Sequence, residues 1–483
     1  MLVCCGYLQH TDAAMEDTLR LDLATAIQLA QRQSPSVQSA RNTFLSSYWN
    51  YRYYQANYLP SLTLASDPYI NRQVNKITRS DGTSAFVKQD QTSIDLSLEI
   101  NQNIAWTGGS VFLKSSLNRL DELQGKTTAY SSQLLSIGYR QSLFGYNAYK
   151  WDRRIEPLRY REAKKQYAEA LEIVSATTCQ YFFQLAAAQD VLETARQNYA
   201  SADTLYQMGK GRFDHGTITE NEMLQLEINR LNEETYVMDA QVAMTEHMQT
   251  FRSFLGLDQN LALKLQIPDS VPQFQVPLQQ AVQLALDNSP DPDYYKRLKK
   301  ESESNLANAR ANAGLKADLY VQFGLSQTGN DIAAVYRRPM SQEYASVSIS
   351  LPILDWGRGK GKVKVAKSLL ALTNTQAEQG MRDFYQNIQK LVLQFNKQAR
   401  KVNIASLTDR RAEQRHNIAR KLYVMGRNSI LDLNASVSEK NAARKNRIYS
   451  LQTYWSLYYT LRSMTGFDFE HQVLLQEALP IEE

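Results

Sequence analysis

Only one segment of the sequence resembles a catalytic or nucleotide-binding motif. Gly357-Arg-Gly359-Lys-Gly361-Lys follows a predicted strand and opens a predicted helix, which is where a phosphate-binding loop would lie. It lacks the Gly-Lys-Ser/Thr ending of a P-loop and the GxGxxG spacing of a dinucleotide fold. We therefore interpret it as a flexible strand-to-helix junction whose lysines lie near a membrane surface.

The residue types that hold metals or act as nucleophiles are scattered. The five histidines do not form an HExxH pair or any other ligand spacing, and Cys179 has no histidine at helical spacing; the histidines are His10, His215, His247, His416 and His471. No nucleophile and base occur together in the sequence, although triads assembled from distant positions remain compatible with it. The sequence predicts no metal, no cofactor and no enzymatic activity.

Composition narrows the class of protein further. The 483 residues carry 54 basic and 49 acidic side chains, a net charge of +5 that is too diffuse for nucleic-acid binding. No run of 18 apolar residues is present, which excludes a membrane-spanning helix but leaves alternating β-strands open. Residues 1–20 read as a signal-peptide remnant and flexible start, and lipidation of Cys4 or Cys5 stays open.

The decisive feature of organisation is an internal repeat. Residues 23–35 match residues 278–290 at seven of 13 positions, and the Phe213–Gly216 segment matches Tyr423–Gly426. The pattern predicts a tandem duplication with a first repeat at 21–258, a linker at 259–275, a second repeat at 276–468 and a tail at 469–483. The first repeat holds 45 additional residues.

Each repeat contains a long coiled-coil helix that ends at a glycine and is followed by a second amphipathic helix. Apolar residues recur at alternating four- and three-residue intervals from Tyr167 to Tyr206 and, with a few polar members, from Met381 to Tyr423. Returning helices are predicted at about 219–255 and 429–464. Each repeat is therefore predicted to form a long antiparallel helical hairpin.

Strands with period-two alternation precede each hairpin. They cover residues 92–100, 135–143, 319–325 and 345–351, with apolar residues on one face and serine-rich polar residues on the other. The same alternation suits a barrel wall between lipid and water or a half-exposed soluble sheet. The surplus residues supply an extra hairpin at 92–119, giving six candidate strands that either enlarge a barrel or project from its outer end.

In this order, the elements resemble the TolC-like outer membrane efflux family over residues 20–468. The resemblance is carried by the Ser-Pro helix breaks, the Leu59-Pro60-Ser61 strand start, the Ser350–Arg358 junction, the two glycine-containing tips and the two Gly-x-Asp endings. It implies a mixed α and β membrane protein, a trimeric β-barrel continued by a long α-helical coiled-coil barrel. Family members usually contribute four strands per chain, so the six candidates are a departure.

The same resemblance implies the protein's function and partners. It implies a homotrimeric exit duct in the outer membrane of a Gram-negative bacterium, in contact with membrane lipid and with a large periplasmic portion. A periplasmic adaptor would couple it to an inner-membrane transporter, with no nucleic acid involved. The alternative is a structural coiled-coil protein of the envelope that forms no channel.

Two groups of site residues follow from the resemblance. Adaptor docking is expected at the helical tips, at Gly216, Thr217, Gly426 and Arg427. A periplasmic gate is expected at Asp432, Glu222 and Asn428. In the family, the carboxylate at the position of Asp432 forms an acidic ring of three charges in the trimer. A second acidic ring often lies three residues later, where this chain has Ala435. An arginine that latches neighbouring helices in the family is replaced here by Asn428. We therefore expect a weaker acidic ring and a looser closed state; simple turn formation at the glycines, and simple helix capping by Asp432, are the competing interpretations.

Overall fold

The computed structural model describes residues 18–475, so the predicted signal remnant, apart from its last three residues, and the end of the tail lie outside the described residues. Its elements in chain order are β1 (Thr18–Asp22), α1 (Leu23–Gln33), α2 (Pro35–Ala56), β2 (Ser61–Thr78), β3 (Ser84–Ile104), β4 (Gly109–Glu122), β5 (Thr127–Ser142), α3 (Ala148–Asp214), α4 (Glu220–Leu255), β6 (Ala262–Gln266), α5 (Leu278–Asn288), α6 (Asp291–Ala313), β7 (Lys316–Gly329), β8 (Met340–Ser350), α7 (Arg358–Val424), α8 (Ile430–Thr465), β9 (Phe467–Asp468) and β10 (Val473–Leu474).

Matching elements of the two predicted repeats have equal lengths. The first helices α1 and α5 each have 11 residues, the long helices α3 and α7 each have 67, and the returning helices α4 and α8 each have 36. The helices α1 and α5 both stop at a serine with extended backbone, because the proline that follows each serine disfavours the helical conformation of the residue before it. These matched lengths support the predicted duplication, while its domain boundaries stay predictions.

The described chain divides into two compact units that cut across the repeats. Of the described residues, a helical unit contains 18–45, 163–292 and 382–475, and a sheet-containing unit comprises 46–162 and 293–381. Each repeat therefore contributes to both units, which a boundary drawn along the sequence alone does not anticipate.

In the helical unit, the core follows the predicted seams. Every seam residue from Tyr167 to Tyr206 on α3, and from Met381 to Tyr423 on α7, is buried or half-buried. A helix of 67 residues is about 100 Å long at 1.5 Å per residue. Both helices begin well before the predicted seams, at Ala148 and Arg358. The seam pattern did not indicate these starts, because the first turns of both helices lack the four-three apolar spacing. A two-stranded parallel sheet of β1 and β6 completes this unit.

The sheet-containing unit is built on one antiparallel sheet. Its six strands lie in the order β2-β3-β4-β5-β7-β8, so the strands of this sheet neighbour one another in the order in which they occur along the chain. The surplus hairpin is not separate from this sheet, since it supplies part of β3 and most of β4 between β2 and β5. The strands β3 and β5 are longer than predicted. Their additional residues are mostly polar, so they do not show the apolar alternation on which the prediction was based.

None of the helices within residues 18–475 combines the length and the apolar character needed to cross a membrane.

Candidate functional site

The first helical tip is a glycine-terminated turn. Gly216 adopts a φ of +68°, which glycine reaches without the steric cost that a side chain would bring. The amide of Thr217 donates to the Arg212 carbonyl at 2.9 Å and the amide of Gly216 donates to the Phe213 carbonyl at 2.8 Å. This pair of hydrogen bonds satisfies carbonyls that the end of α3 would otherwise leave open.

The second tip repeats this geometry. Gly426 has a φ of +71°, and the amides of Arg427 and Gly426 donate to the carbonyls of Leu422 and Tyr423, both at 2.9 Å. Thr217 and Arg427, one residue beyond each glycine, are exposed, and Asn428 is half-buried. A Cβ added to either glycine would meet no heavy atom within 4 Å, so both tips present open backbone to solvent.

The two tips lie side by side. The Arg212 guanidinium in the first tip donates to the Val424 carbonyl in the second at 2.9 Å. Below the tips, an apolar cluster joins the four long helices: Leu205, Leu226, Ala419, Ile430 and Leu433, with Tyr206, Ile218 and Tyr423 packed against it. The chain thus brings the four docking residues predicted from the sequence to one end of the helical unit. The Arg212 contact joins residues 212 positions apart and has no local sequence signal.

Both predicted gate carboxylates cap the helices that leave the tips. Glu222 forms a capping box with Thr219, whose backbone amide donates to Glu222 Oε2 at 2.9 Å. The Asp432 amide donates to Ser429 Oγ at 3.2 Å, and that hydroxyl donates to Asp432 Oδ2 at 3.0 Å. Both carboxylates remain exposed. Capping and a gating role are therefore compatible, because each carboxylate keeps a free side toward solvent.

The six-stranded sheet has one apolar face. Cross-strand pairs match apolar residue to apolar residue, as at Leu64↔Leu98 and Ile137↔Phe323. Members of this face stay exposed in the single chain; they include Leu62, Leu64, Ile94, Leu96, Leu98, Ile100, Leu135, Ile137, Phe323, Leu325, Val347 and Ile349. A soluble protein rarely exposes so large a contiguous apolar surface, so this face requires a partner or a membrane.

The opposite face of the sheet is polar and internally bonded. Arg140 Nη1 donates to Glu99 Oε1 at 3.3 Å, and the guanidinium carbon lies 4.1 Å from the centre of the Phe112 ring. Phe112 is only 1% exposed because its ring fills a notch over Gly138, where any Cβ would clash with it. Such a face suits contact with water.

In the glycine-rich segment that begins at Gly357, the candidate phosphate-binding loop, the backbone amides bind a carboxylate of the chain itself. Asp355 accepts hydrogen bonds from the amides of Gly357 at 2.9 Å and Gly359 at 2.8 Å. These are the amides that a phosphate would need, so the segment is a helix cap. Among residues 18–475, no group of three or more His, Cys, Asp or Glu side chains could hold a metal. Cys179 is buried, and burial raises the pKa of its thiol.

A buried ion network locks α8 against α3. Arg462 Nη2 donates to Glu172 Oε1 at 2.9 Å, and Nη1 donates to Asp468 Oδ2 at 3.0 Å. Burial raises the pKa of Glu172 in spite of Arg462. Burial would also raise the pKa of Asp468, but hydrogen bonds from Tyr458 and His471 and the charge of Arg462 hold that pKa below its ordinary value. The second Gly-x-Asp ending is thereby tied into the helical unit.

Replacing Arg462 with leucine should lower the free energy of unfolding by about 3–5 kcal/mol, because two carboxylates would remain buried without their cation. Arg415→Leu is the matched control, since Arg415 pairs with Glu439 on the exposed surface, where a pair contributes at most about 1 kcal/mol. Denaturant titration of both variants at one protein concentration measures the difference. Equal losses would contradict the assignment of Arg462 as the central cation of a buried network.

Comparison with known proteins identifies the family. The sequence profile described as "Outer membrane efflux protein" matches residues 100–257 and 281–466. The chain therefore belongs to the outer membrane efflux protein family, as the sequence resemblance predicted, and this family comprises efflux channels, not enzymes. Among curated proteins, no match to the sequence is found.

Solved structures of low sequence identity share the fold. The outer membrane channel CmeC of Campylobacter jejuni superposes with a TM-score of 0.68 at 14% identity, covering 95% of this chain and 87% of that chain. The outer membrane protein VceC of Vibrio cholerae gives 0.64 at 14% identity, with 92% and 96% covered. The open state of the MtrE outer membrane channel of Neisseria gonorrhoeae gives 0.59 at 15% identity, with 92% and 88% covered.

Proposed function

We propose that three copies of the chain form an exit duct in the outer membrane of a Gram-negative bacterium. The single observation that carries the proposal is the two-faced, six-stranded sheet, apolar on one side and polar on the other, with its edges β2 and β8 unpaired within the chain. Family membership supports an efflux role. The long helices would continue the duct across the periplasm.

Closure of the sheet between copies gives the wall of the duct. One sheet of six strands is too narrow to enclose water, and long exposed edges invite pairing with another strand. If β8 of one copy pairs with β2 of the next, three copies make 18 strands. At a strand spacing of ~4.8 Å and a tilt of ~40°, that barrel is about 36 Å across, against about 24 Å for about 12 strands. We therefore expect a wider barrel than the family's usual four strands per chain would give.

The height of the apolar face suits the outer membrane. Along β3 the apolar alternation runs from Ile94 to Ile104, interrupted only at Gln102. Ten residue steps of ~3.4 Å at a tilt of ~40° span about 26 Å, close to the ~25 Å apolar band of outer membrane barrels. At the Ile94 end, Arg119 lies opposite Ile94 and pairs with Asp121, and Arg72 pairs with Asp90, consistent with an end of the apolar band.

The helical tips are the proposed docking site for a periplasmic adaptor, through which an inner-membrane transporter would be coupled. Exposed backbone at Gly216 and Gly426 permits close approach of a partner's helices, and Thr217 and Arg427 stand beside it. Asp432, Glu222 and Asn428, just beyond the tips, are the proposed periplasmic gate. Threefold symmetry would turn each exposed carboxylate into a ring of three charges.

The alternative of a structural coiled-coil envelope protein accounts for the helices alone. It gives no reason for an exposed apolar sheet face of this size, whereas a lipid-facing wall requires one.

Fractionation and cross-linking test the proposal. The protein should sediment with outer membranes, resist release by salt and sonication, and yield a trimer on cross-linking in mild detergent. A strain lacking the protein should accumulate an exported compound, and the wild-type gene should restore export. Release by salt or sonication, or a monodisperse monomer with full β-content, would refute the proposal.

A further inference from the structure

The junction between β8 and α7 exposes an unusual set of apolar side chains. Leu351 is 60% exposed, Ile353 95%, Leu354 70% and Trp356 90%. Trp356 has a φ of +54°, a backbone conformation that bulky residues rarely adopt. The chain thus holds a tryptophan outward, with nine-tenths of its surface free of contact with the rest of the chain.

The junction between β5 and α3, in the first repeat, also has exposed apolar residues followed by a helix-capping side chain. Leu143 and Phe144 are exposed, and Asn147 caps the following helix by accepting from the Lys150 amide at 3.0 Å. Asp355 performs the equivalent capping at the start of α7. Both repeats therefore place exposed apolar residues directly before a capped long helix.

Both junctions lie at one end of the sheet. Ser142 at the end of β5 pairs with Asp318 near the start of β7, and Ser350 at the end of β8 pairs with Lys316 on the same strand. Only β7 separates them, so they are about 10 Å apart at a strand spacing of ~4.8 Å. Trp106, 83% exposed in the turn between β3 and β4, lies at this end too.

Basic residues follow the apolar ones in both repeats. They are Lys150, Arg153 and Arg154 at the start of α3, and Arg358, Lys360, Lys362 and Lys364 at the start of α7, and all seven are exposed. The first turns of both helices lack acidic residues. A helix N-terminus favours negative side chains, so clustering cations there opposes the helix dipole, and a bound anion would offset that cost.

We propose that these two junctions, residues 143–154 and 351–364, form a junction collar that binds the anionic headgroups of phospholipids in the periplasmic leaflet. The proposal rests on the proposed function, which puts the apolar sheet face in the membrane with α3 and α7 on the periplasmic side. Leu143 and Leu351 lie at the ends of strands of that face, so the collar is where the hydrocarbon region would end. Exposed aromatic and aliphatic side chains there insert at the interface, and the cations just beyond meet phosphate.

The collar carries seven cations against two carboxylates, Asp152 and Asp355, so its net charge is positive. Asp355 is bonded to the amides of Gly357 and Gly359, and Glu156 is paired with Arg159. A glycerophospholipid with a net negative headgroup, such as phosphatidylglycerol, supplies both the acyl chains that Trp356 and Ile353 require and the charge that the basic residues require. Free phosphate would satisfy only the second.

Lipid titration of the purified full-length trimer tests the collar. Native mass spectrometry in mild detergent would count bound phosphatidylglycerol and phosphatidylcholine for the wild type and for the fourfold variant Arg358→Gln, Lys360→Gln, Lys362→Gln, Lys364→Gln. The matched control replaces four exposed cations of the same helix, in the helical unit, by glutamine: Lys390, Lys397, Lys401 and Arg410. The wild type and the control should prefer phosphatidylglycerol by about tenfold or more, and the collar variant should lose most of this preference.

An unchanged phosphatidylglycerol preference in the collar variant, or equal loss in the control, would overturn the collar. Displacement of phosphatidylglycerol by an equal concentration of inorganic phosphate would overturn it as well, because it would indicate a phosphate site instead of a lipid surface. Cross-linking and export of the same variants separate the two proposals. Trimers that export normally but show no lipid preference refute the collar alone, whereas a wild-type protein that forms no trimer refutes the proposed function.

Discussion

Tryptophan in place of Gly426 or Gly216 should reduce export at least about tenfold while trimers still assemble. The added side chain would occupy open space at the tip, since a Cβ there meets no heavy atom within 4 Å, so folding should survive. The left-handed backbone would cost a non-glycine residue only about 1–2 kcal/mol. The same side chain would stand between the tip and the helices of an adaptor, where close backbone approach is proposed.

Asparagine at the same positions is the matched control for the turn. It tolerates the left-handed conformation better than other non-glycine residues and adds little bulk. We expect asparagine variants to retain most export. Loss of export is measured as increased accumulation of a transported compound in cells that contain equal amounts of cross-linked trimer. Normal export in the tryptophan variants would restrict Gly216 and Gly426 to turn formation and would remove the tips from the docking proposal.

Asp432→Asn should abolish most of the cation preference of reconstituted channels, and Asp432→Glu should leave it nearly unchanged. Three copies would place three carboxylates around a narrow entrance, where they attract cations and repel anions. The exposed side chain of Asp432 accepts a hydrogen bond from Ser429, which asparagine can also accept. The substitution therefore removes charge and largely keeps the cap.

Reversal potentials across a salt gradient measure this preference. Glu222→Gln is the corresponding change at the other tip, where the carboxylate is engaged in a capping box with Thr219. A smaller effect is expected there because both the amide and the hydroxyl of Thr219 bond to the same carboxylate oxygen. Identical selectivity of the wild-type and Asp432→Asn channels would leave only a capping role for Asp432, with a stability effect of at most about 1 kcal/mol.

Features determined by local sequence were predictable. The glycine tips, the Ser-Pro breaks and the returning helices follow from backbone chemistry and apolar spacing, and the structure has α4 and α8 within about one residue of the predicted bounds. The seams were predicted because an apolar four-three spacing that continues over many turns is specific to coiled-coil packing. The family assignment followed from these elements in order, and the family comparison confirmed it.

Features that depend on distant residues were not predictable. The sheet order that incorporates the extra hairpin is fixed by pairings such as Leu98↔Ser115 and Tyr139↔Val321, which no single strand specifies. The packing of Phe112 over Gly138 and the bond from Arg212 to Val424 join separate elements in the same way. The use of Asp355 as a cap could have been foreseen, because aspartate is among the residues preferred for capping a helix N-terminus.

Imaging of the purified particle in a lipid nanodisc tests the central claim most directly. We expect a threefold particle whose membrane-embedded wall has 18 strands, six from each chain, and whose helices extend from one side of the disc and end at the tips containing Gly216 and Gly426. A single chain with an open sheet, or a particle whose sheet lies outside the lipid, would contradict it.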